Sequence, residues 1–556
     1  MDRSIFVTGA AGEGIQTIGD VVARCFLRYG YPAFASQEFE SRIRGGNSSV
    51  RIRVTETPRN APRERADVLL ALNPTARDHY ADALEPEGLL VAPEGDGLTI
   101  PFVDLAVEHG GAEIYANAVA AGVLCAIVGL PFAALEGVLT ETFSDRGDEV
   151  VGANVSSGRA GFDRALDELG DRRVEELPKR DETYAFASAH ETIPIAAAAA
   201  GCRFISAYPM SPSTGIITAF ARNPDLGVFA EQAEDEIAAI NMALGASAAG
   251  ARAMTATSGG GFALMVEGLS LAGMIETPIV IVLAQRPGPA TGLPTRTAQE
   301  DLLFALRAGH GEFPRAMLAP SDPQETIDLT IRAFDLADRY QIPVILLTDQ
   351  FLADSSFTFD RFELPDEIPP ARLADPDEFE GEYARYAPSE SGVSPRLAFG
   401  QGGRTVCLDS DEHTPEGHIT EDLEGVRRAA VVKRREKLRR LRGEMRGPSS
   451  RRMDDAERIL IGWGSTRGAI DEAVDRLRED GHKVGAIHFI DLWPLPEPPP
   501  QRDAATYWTV EGNATGQLAQ LLRGEWRWRI DGTIGRADGL PMDARFVARR
   551  LMEEMS

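Results

Sequence analysis

The chain has few cysteines and no long apolar run, and each scarcity excludes a class of protein. Its 556 residues include 4 cysteines, far apart and without a CxxC pair. That spacing excludes a disulfide-dense secreted scaffold, a zinc ribbon and a ferredoxin-type Fe–S ligand set. No run of about 18 uncharged apolar residues occurs, so no transmembrane helix is predicted. The N-terminus lacks a signal peptide's apolar core, and we expect a cytoplasmic protein without membrane attachment.

Positive charge is scarce as well. The 57 basic residues face 85 acidic ones, a net charge of −28. A phosphate backbone would be repelled at long range, so general nucleic-acid binding is not expected. Arginine carries nearly all of the positive charge, and a GC-rich genome explains this more simply than adaptation to salt does.

What is present is enough apolar sequence for several cores. At 43% apolar and 26% charged residues, the chain is about three domains long by a prior of roughly 150 residues each. Strand-like apolar runs alternate with helical patterns, which predicts an α/β protein of three doubly wound domains. We place these domains at residues 1–175, 183–360 and 455–556. Residues 361–450 are predicted to be an irregular connecting segment.

This connecting segment ends in a strongly basic predicted helix over residues 427–446. Ten basic minus two acidic residues give it a local charge of +8. Val431, Leu438, Leu441 and Met445 form a rough apolar stripe along it. The pattern favours an amphipathic arm packed on its own protein or a partner over a nucleic-acid site.

Glycine loops in the first domain allow more than one interpretation. The strand Ser4–Val7 runs into Gly9–Gly14, whose glycines follow GxxGxG and not the nicotinamide fingerprint GxGxxG. A tight turn without a ligand and a phosphate or pyrophosphate site both remain open. Gly95-Asp96-Gly97 lacks the later Asn-Asn pair that a Mg-diphosphate motif needs, and Asn117 comes too early, so we predict a turn.

The stretch from Asp409 to His413, with His418, resembles a metal cluster at first sight. It lies in a loop-like region without a second set of ligands elsewhere in the chain. We therefore interpret it as a solvated or interface loop and predict no metal site on this chain.

The second domain carries four polar segments, three of which leave the carboxyl ends of predicted strands while the other leads into a helix of small residues. Open α/β sheets bind ligands at the edge where those strands end, so together they predict a ligand site. The four segments are 208–214, 231–237, 257–262 and 285–295.

These motifs together resemble the α subunit, with a fused γ domain, of the 2-oxoacid:ferredoxin oxidoreductases, and of the 2-oxoglutarate enzymes in particular. The first domain is similar to the γ module at GAAGEGIQT and at residues 40–46. The second resembles the thiamine pyrimidine-binding (PYR) domain over the span that begins with YPMSPST and ends with QRPGPATGLPT. The rest of the chain resembles the family's α-subunit tail, which includes a transketolase C-terminal-like domain. The motifs that carry this resemblance are DSDEHTPEGHITED, GWGSTRG, LWPLP and EGNATGQL. Departures from the family pattern are Glu13, Ser211, Gly260 and Gly512.

The resemblance implies thiamine diphosphate chemistry and assigns roles within it. Glu236 is the implied catalytic carboxylate, which hydrogen-bonds the thiamine pyrimidine and favours its reactive tautomer. Tyr208 and Pro209 would line the pyrimidine. The implied substrate-binding residues are Ser211, Arg286 and Thr295, with the arginine as planar partner of the substrate carboxylate.

The resemblance also implies partners, because this chain has neither a GDG…NN element nor an Fe–S cysteine set. A β subunit would supply the diphosphate and Mg²⁺ site and a [4Fe–4S] cluster, in an (αβ)2 heterotetramer. The implied reaction converts a 2-oxo acid, expected to be 2-oxoglutarate, and CoA into acyl-CoA, CO2 and reduced ferredoxin, reversibly. Possible CoA or γ-domain contacts are Gly12, Gly14, Arg42 and Arg44.

Three alternatives stay open at the level of sequence. The substrate could be pyruvate or a branched-chain or aryl 2-oxo acid. A nicotinamide-dependent dehydrogenase could use the Gly9–Gly14 loop. The chain could also be a non-catalytic structural subunit, although Ser211, Glu236 and Arg286 are all in register with the family motif.

Overall fold

The structure, a computed structural model, describes residues 1–40 and 45–554 and divides them into two compact units. The first unit comprises Met1–Ala187, Asp354–Phe362 and Asp543–Phe546, and the second holds the other described residues. Sheets with parallel strands and flanking helices occur in both units, which confirms the predicted α/β class.

The first half of the chain contains most of the first unit. Its elements are β1 (Asp2–Ala11), α1 (Ile15–Arg28), β2 (Ala33–Glu38), β3 (Gly45–Thr55), β4 (Ala66–Ala71), α2 (Pro74–Tyr80), β5 (Leu84–Ala92), β6 (Leu98–Thr99), α3 (Phe102–Gly110), α4 (Ala116–Val128), α5 (Phe132–Phe143), α6 (Asp148–Leu169) and β7 (Ala185–Ala187).

The rest of the chain follows the same alternation up to a long irregular stretch. Its elements are α7 (Ala189–Ala199), β8 (Cys202–Ala207), α8 (Thr214–Arg222), β9 (Phe229–Gln232), α9 (Glu236–Ala248), β10 (Arg252–Thr257), α10 (Gly259–Met274), β11 (Ile279–Gln285), α11 (Leu302–Arg307), β12 (Ala316–Leu318), α12 (Pro323–Tyr340), β13 (Pro343–Asp349), α13 (Gln350–Asp354), β14 (Phe357–Phe359), α14 (Arg428–Arg442), β15 (Ser449–Arg451), β16 (Arg458–Trp463), α15 (Arg467–Glu479), β17 (Val484–Phe489), β18 (Asp491–Trp493), β19 (Thr506–Glu511), α16 (Gln517–Glu525), β20 (Gly532–Gly535) and α17 (Ala544–Glu553).

The six-stranded sheet of the first unit is mixed and not fully parallel. Its order is β2-β3-β1-β4-β5-β6, and β3 runs antiparallel to both of its neighbours. The strands predicted to be parallel, β4 and β5, do pair in parallel. Helix α1 buries the face that its sequence period predicts, at Ile15, Ile18, Val21, Val22 and Cys25.

The larger sheet of the second unit has seven strands in the order β18-β12-β13-β11-β10-β8-β9. Its pairs run in parallel except that of β12 with β18, which comes from the predicted third domain. Strands β11 and β13 are fully buried, as their continuous apolar sequences predict.

A five-stranded sheet, β15-β17-β16-β19-β20, completes the second unit. Strands β17 and β19 each pair in parallel with β16, which lies between them. Apolar residues of both sheets, such as Ile281 and Ile461, share one core. The predicted second and third domains therefore form one compact unit, and their separate boundaries stay predictions.

The basic helix differs from its prediction in length and in what it buries. Helix α14 spans Arg428–Arg442, shorter than the predicted 427–446, and follows a π-helical turn over Leu423–Arg427. Its buried face carries Lys433 and Lys437 beside Leu441. The predicted apolar stripe is thus only partly correct, and the helix does pack on its own chain.

No single helix in residues 1–40 and 45–554 is long and apolar enough to cross a membrane. One pair of helices is long and apolar enough when taken together, but it bends by 116° at the break. The pair consists of α3 and the turn and helix over Glu113–Val128.

Candidate functional site

The candidate site lies at the carboxyl edge of the seven-stranded sheet, in the second unit. Strands β11, β10, β8 and β9 are neighbours there and run in parallel, so the loops that follow them meet at one edge. Helices α9 and α10 begin at the same edge. The structure therefore brings together the four polar segments that the sequence singles out.

Glu236 is the first residue of α9 and the only buried acid of the four in its segment. Asp235 caps the helix by accepting the Ala238 N–H at 2.7 Å, which leaves the Glu236 carboxylate free to point inward. Glu236 is 3% exposed, and its Oε1 is buried without a hydrogen-bond partner among the described residues. A buried carboxylate oxygen without a partner is costly unless a ligand satisfies it.

The glycine-rich start of α10 leaves room for the carboxylate of Glu236. A Cβ on Gly261 would collide with Glu236 Oε1 and with the Thr257 hydroxyl. Ser258, fully buried at the N-cap of α10, makes no side-chain cap bond, and its hydroxyl also lacks a partner in the described residues. Two unsatisfied polar atoms, Ser258 Oγ and Glu236 Oε1, therefore lie at the start of α10.

Arg286 and Ser211 lie together at this edge. The Arg286 guanidinium donates to the Ser211 carbonyl oxygen at 2.6 Å, which joins the loop after β11 to the loop after β8. Burial lowers the pKa of Arg286 from its usual value. Tyr208 is 39% exposed at the same edge, and Pro209 follows it, so both are open to a ligand.

Thr295 is buried in the segment that follows the Arg286 loop. The next residues are fixed by Gln299, whose four polar groups all bond to loops of the five-stranded sheet. Its backbone N–H donates to Gly512 O at 2.7 Å, and its carbonyl accepts from Asn513 Nδ2 at 2.9 Å. Its side-chain amide donates to Trp463 O at 2.9 Å and accepts from the Gly512 N–H at 3.0 Å.

These bonds explain two motifs to which the sequence assigns no role. GWGSTRG and EGNATGQL follow β16 and β19, at the carboxyl edge where α/β sheets hold ligands. Here Gln299 and its neighbours lie at that edge, and Gln517 completes the contact by accepting from Leu303 N–H at 2.9 Å. Loops of the five-stranded sheet therefore bind the segment that follows the Arg286 loop.

Asp301 and Glu300 are acids at this edge that sequence reasoning misses. Burial, aided by the charge of Glu300, raises the pKa of Asp301 to about 6. A Cβ on Gly259 would lie 2.5 Å from Asp301 Oδ2, so the carboxylate rests against the start of α10. Gly259 is the signal that could have indicated Asp301, because a glycine at the start of a helix can mark a close neighbour.

The glycine loop of the first unit lines a cavity of about 330 Å³. Gly12 and Gly14 border this cavity, whereas Arg42 and Arg44 lie outside the described residues. Glu13 turns back into the loop, where its carboxylate accepts the Ala10 N–H and the Asn73 amide, each at 2.7 Å. A negative charge in this position disfavours a bound phosphate.

Two motifs that the sequence predicts to be a turn and a loop have no regular helix or strand in the structure. Gly95-Asp96-Gly97 forms the exposed turn between β5 and β6. In the 409–422 stretch, His413 pairs with Ile419 across a short bridge, and its ring lies against Tyr386. No group of three or more His, Cys, Asp or Glu in the described residues could hold a metal ion.

Two family models match the chain. "Pyruvate flavodoxin/ferredoxin oxidoreductase, thiamine diP-bdg" matches residues 195–431, and "Pyruvate ferredoxin/flavodoxin oxidoreductase" matches residues 4–164. A curated relative, the α subunit of 2-oxoacid:ferredoxin oxidoreductase 2 of Aeropyrum pernix, is 30% identical over 100% of this chain and 98% of its own length. The chain belongs to the 2-oxoacid:ferredoxin oxidoreductases. It is thus an oxidoreductase with a thiamine diphosphate-binding domain, and its relatives' α-subunit names imply further subunits.

Other members of this oxidoreductase family are equally similar. The 2-oxoglutarate oxidoreductase subunit KorA of Mycobacterium tuberculosis is 30% identical over 93% of this chain and 86% of its own length. The solved structure of 2-oxoglutarate:ferredoxin oxidoreductase from Magnetococcus marinus, with 2-oxoglutarate, coenzyme A and succinyl-CoA bound, superposes with a TM-score of 0.91. That protein is 31% identical, and the match covers 100% of both chains.

Proposed function

We propose that this chain is the α subunit of a 2-oxoglutarate:ferredoxin oxidoreductase, and that Glu236, Arg286, Ser211 and Thr295 form its half of the active site. The observation that carries the proposal is the buried, unpaired Glu236 oxygen at the same sheet edge as Arg286. The names of the Mycobacterium relative and of the Magnetococcus structure support 2-oxoglutarate as the substrate.

The residues present fit a thiamine pyrimidine. Glu236 Oε1 needs a hydrogen-bond donor that the described residues do not provide, and Gly261 keeps open the space in front of it. Thiamine diphosphate, when bound, supplies the nucleophilic carbon that attacks the 2-oxo group. Glu236 would hold a proton at the pyrimidine nitrogen, which favours the reactive tautomer of the ring. Tyr208 and Pro209 would line the ring.

Arg286 would bind the carboxylate that the substrate loses. Its guanidinium is partly desolvated, as the lowered pKa indicates, and can offer two parallel N–H donors to a carboxylate. The bond to Ser211 O fixes its direction, while the Ser211 hydroxyl and the Thr295 hydroxyl supply further donors. The pocket would therefore orient the 2-oxo acid before reaction.

An exposed apolar face beside the site supports a β subunit as partner. Residues 236–274, which contain α9 and α10, include only three charged residues, whereas the chain average of 26% would give about ten in 39 residues. Two of the three are buried, and Ile237, Met242 and Leu264 are 38–50% exposed. An apolar face of this kind is typical of a protein interface. We propose that the β subunit covers it and brings Mg²⁺, diphosphate contacts and a [4Fe–4S] cluster, in an (αβ)2 assembly.

The first unit would then serve the acyl acceptor. Its cavity at Gly12 and Gly14 is a candidate for CoA contact, although the Glu13 carboxylate directs the CoA phosphates away from the loop itself. The same carboxylate disfavours a nicotinamide dinucleotide in that loop. Ferredoxin would accept the electrons from the partner's cluster.

The test is co-expression with the protein encoded by the neighbouring gene. The purified complex should reduce a viologen dye with 2-oxoglutarate and CoA and form succinyl-CoA, with a kcat/KM at least tenfold above that for pyruvate or branched-chain and aryl 2-oxo acids. A preference for one of those acids would change the substrate and leave the family unchanged. NADH formation with any of them would contradict the proposal.

A further inference from the structure

A cavity of about 450 Å³ lies in the second unit, between the end of α12, the end of α14 and residues 372–396 of the connecting segment. The residues that line it on α12 lead into β13, so the cavity lies at the amino edge of the seven-stranded sheet. Glu236 and Arg286 lie at the opposite, carboxyl edge. The cavity is therefore separate from the candidate site, and its size is in the range of sites that hold small organic molecules.

Arginine dominates the charge of this cavity in an otherwise acidic chain. Four arginines and two acids line it and give the lining a net charge of +2, whereas the whole chain carries −28. Both acids already have partners. Asp338 accepts from Arg252 at 2.7 Å, and Glu444 accepts from Arg339 and from the Tyr340 hydroxyl. Little negative charge is therefore left in the lining to oppose an anion.

Two half-exposed arginines of the lining keep N–H groups for a ligand. Arg372 makes no hydrogen bond within residues 1–40 and 45–554, and its guanidinium lies 3.6 Å from the carboxylate of Asp335. Arg440 donates through Nε to Glu436 and through Nη2 to the carbonyl of Glu390, each at 2.9 Å, which leaves its Nη1 for a ligand. The two guanidinium groups come from different segments, so together they can bind a ligand from two sides.

Arg396 is the buried arginine of the lining. It is 5% exposed, and its Nε is buried without a partner in the part of the chain that the structure describes. Its Nη1 donates to the Ser247 carbonyl at 2.8 Å, and its Nη2 lies 3.6 Å from Asp338, which Arg252 already contacts. Burial lowers the pKa of Arg396 to about 10, although Asp338 acts against this. An anion in the cavity would stabilise a buried guanidinium that has so few partners.

The lining also offers an apolar surface. Leu373, Val393 and Pro395 border the same cavity as the arginines. An inorganic anion would leave these side chains without contacts, whereas an anion attached to an organic body would cover both kinds of surface. Among anionic groups, phosphate suits arginine well, because the planar guanidinium donates two parallel N–H bonds to its oxygens.

We propose that this cavity binds a small organic diphosphate, the chemical class that includes the nucleoside diphosphates. Two linked phosphate groups provide acceptor oxygens for Arg372, Arg396 and Arg440, and their negative charge offsets the positive charge of the lining. The apolar side chains would contact the organic body. Since the cavity lies at the amino edge of the sheet, this ligand is distinct from the thiamine diphosphate and CoA of the proposed reaction.

The experiment is calorimetric titration of the purified complex with ADP, with saturating thiamine diphosphate and CoA present so that their own sites are occupied. The wild-type complex should bind one ADP per α chain, more weakly as the salt concentration rises. Arg372→Ala and Arg440→Ala should each weaken binding at least about tenfold, because each removes a charged hydrogen-bond partner. Arg435→Ala, at an exposed position of α14 outside the cavity lining, is the matched control and should bind ADP as the wild type does.

Inorganic pyrophosphate tests the contribution of the organic body. It should bind at least about tenfold more weakly than ADP, since nothing in it covers the apolar side of the cavity. Equal affinity for the two would overturn the assignment to an organic ligand. Arg372 and Arg440 are both about half exposed, so neither alanine variant should prevent folding. A complex that binds no ADP overturns the proposal, as does ADP binding that is unchanged in both variants.

Discussion

At the scale of single residues, Glu236 decides whether this chain takes part in catalysis. We expect Glu236→Gln to fold and assemble normally but to lose about 10²- to 10⁴-fold in kcat, because the proton held at the pyrimidine nitrogen is lost. Steady-state kinetics of the complex with viologen dye measures this. Glu234→Gln, an exposed acid two residues earlier, is the control and should stay within twofold.

A large effect at Glu231 or Glu234 with a mild one at Glu236 would contradict the assignment. The sequence predicts Glu236 because it stands directly before a helix of small residues, and the structure finds it to be the one buried acid of its segment.

Arg286 tests the substrate side of the pocket. Arg286→Ala should lower kcat/KM about ten- to a hundredfold, since a charged hydrogen-bond partner is worth roughly 1.5–3 kcal/mol. Arg286→Lys keeps the charge but loses the planar two-point contact, and should recover only part of the loss. Separate titrations with the 2-oxo acid and with thiamine diphosphate distinguish a role in substrate binding from a role in cofactor binding.

Cofactor affinity should barely change in either Arg286 variant. Arg222→Ala, at the exposed end of α8, is the control. A variant that loses cofactor affinity at constant substrate KM would place Arg286 on the cofactor.

Asp322 tests how burial shifts the pKa of an acid outside the candidate site. Its pKa, raised to about 6 by burial and by Glu325, lies above the usual 3.8, so the folded state binds a proton more tightly between these pH values. Ionisation above pH 6 therefore costs stability. Asp322→Asn keeps a good helix cap and should raise the free energy of unfolding at pH 7.5 by about 1–2 kcal/mol, less than the full shift implies because Asp322 is partly exposed.

That gain should largely vanish at about pH 3, below the ordinary aspartate pKa of 3.8, where the wild-type carboxyl group is mostly protonated in both states. Denaturant unfolding at the two pH values measures it. Asp375→Asn, an exposed aspartate that caps a short turn, should show no such pH-dependent gain.

At the scale of elements, α14 shows what an amphipathic pattern cannot predict. The sequence gives a basic helix with a weak apolar stripe, and such a pattern places lysines toward solvent. In the structure Lys433 and Lys437 are buried because Glu276 lies opposite them, 2.9 Å and 2.5 Å from their Nζ atoms. That partner lies some 160 residues earlier, and a local pattern carries no information about it.

Glu276→Gln should therefore be strongly destabilising. Burial alone would raise the pKa of Glu276, but Lys437, Lys433 and Arg385 outweigh it and lower the pKa to about 2. Its contribution to stability is complete above its ordinary pKa of about 4.5 and is lost as the pH falls toward 2. Removing the carboxylate at neutral pH leaves two buried ammonium groups without a counter-charge, at a cost of about 3–5 kcal/mol.

Denaturant unfolding at pH 7 measures that cost. Glu436→Gln, at a partly exposed acid on the same helix that pairs with Arg439 and Arg440, should have a far smaller effect on stability. Equal effects of the two variants would mean that α14 is not held by this cluster.

At the scale of the whole molecule, the chain should be half of an enzyme. Expressed alone it should bind no iron and oxidise no 2-oxo acid, because the sequence has neither an Fe–S cysteine set nor a Mg-diphosphate motif. Iron analysis and the dye assay on the single chain, with the co-expressed complex as the control, check this. A brown, active preparation of the chain alone would contradict the heteromeric assembly.

The sequence predicts the class, the order of the α/β regions and the sheet edge where the four polar segments meet, since alternating apolar runs and motifs are local. It does not predict that β18 joins the sheet of another region, or that Gln299 lies at the edge of the five-stranded sheet. Both depend on pairing between segments that lie far apart in the sequence, and a local pattern carries no information about such pairing.

The bonds of Gln299 have a consequence for synthesis on the ribosome. Asn513, which donates to the Gln299 carbonyl, is made 214 residues after it. The segment between Thr295 and Asp301 therefore reaches its final place only when the C-terminal region emerges and folds. A nascent or truncated chain displays Glu236 and Arg286 but not a complete pocket, so only full-length copies can offer one to a partner.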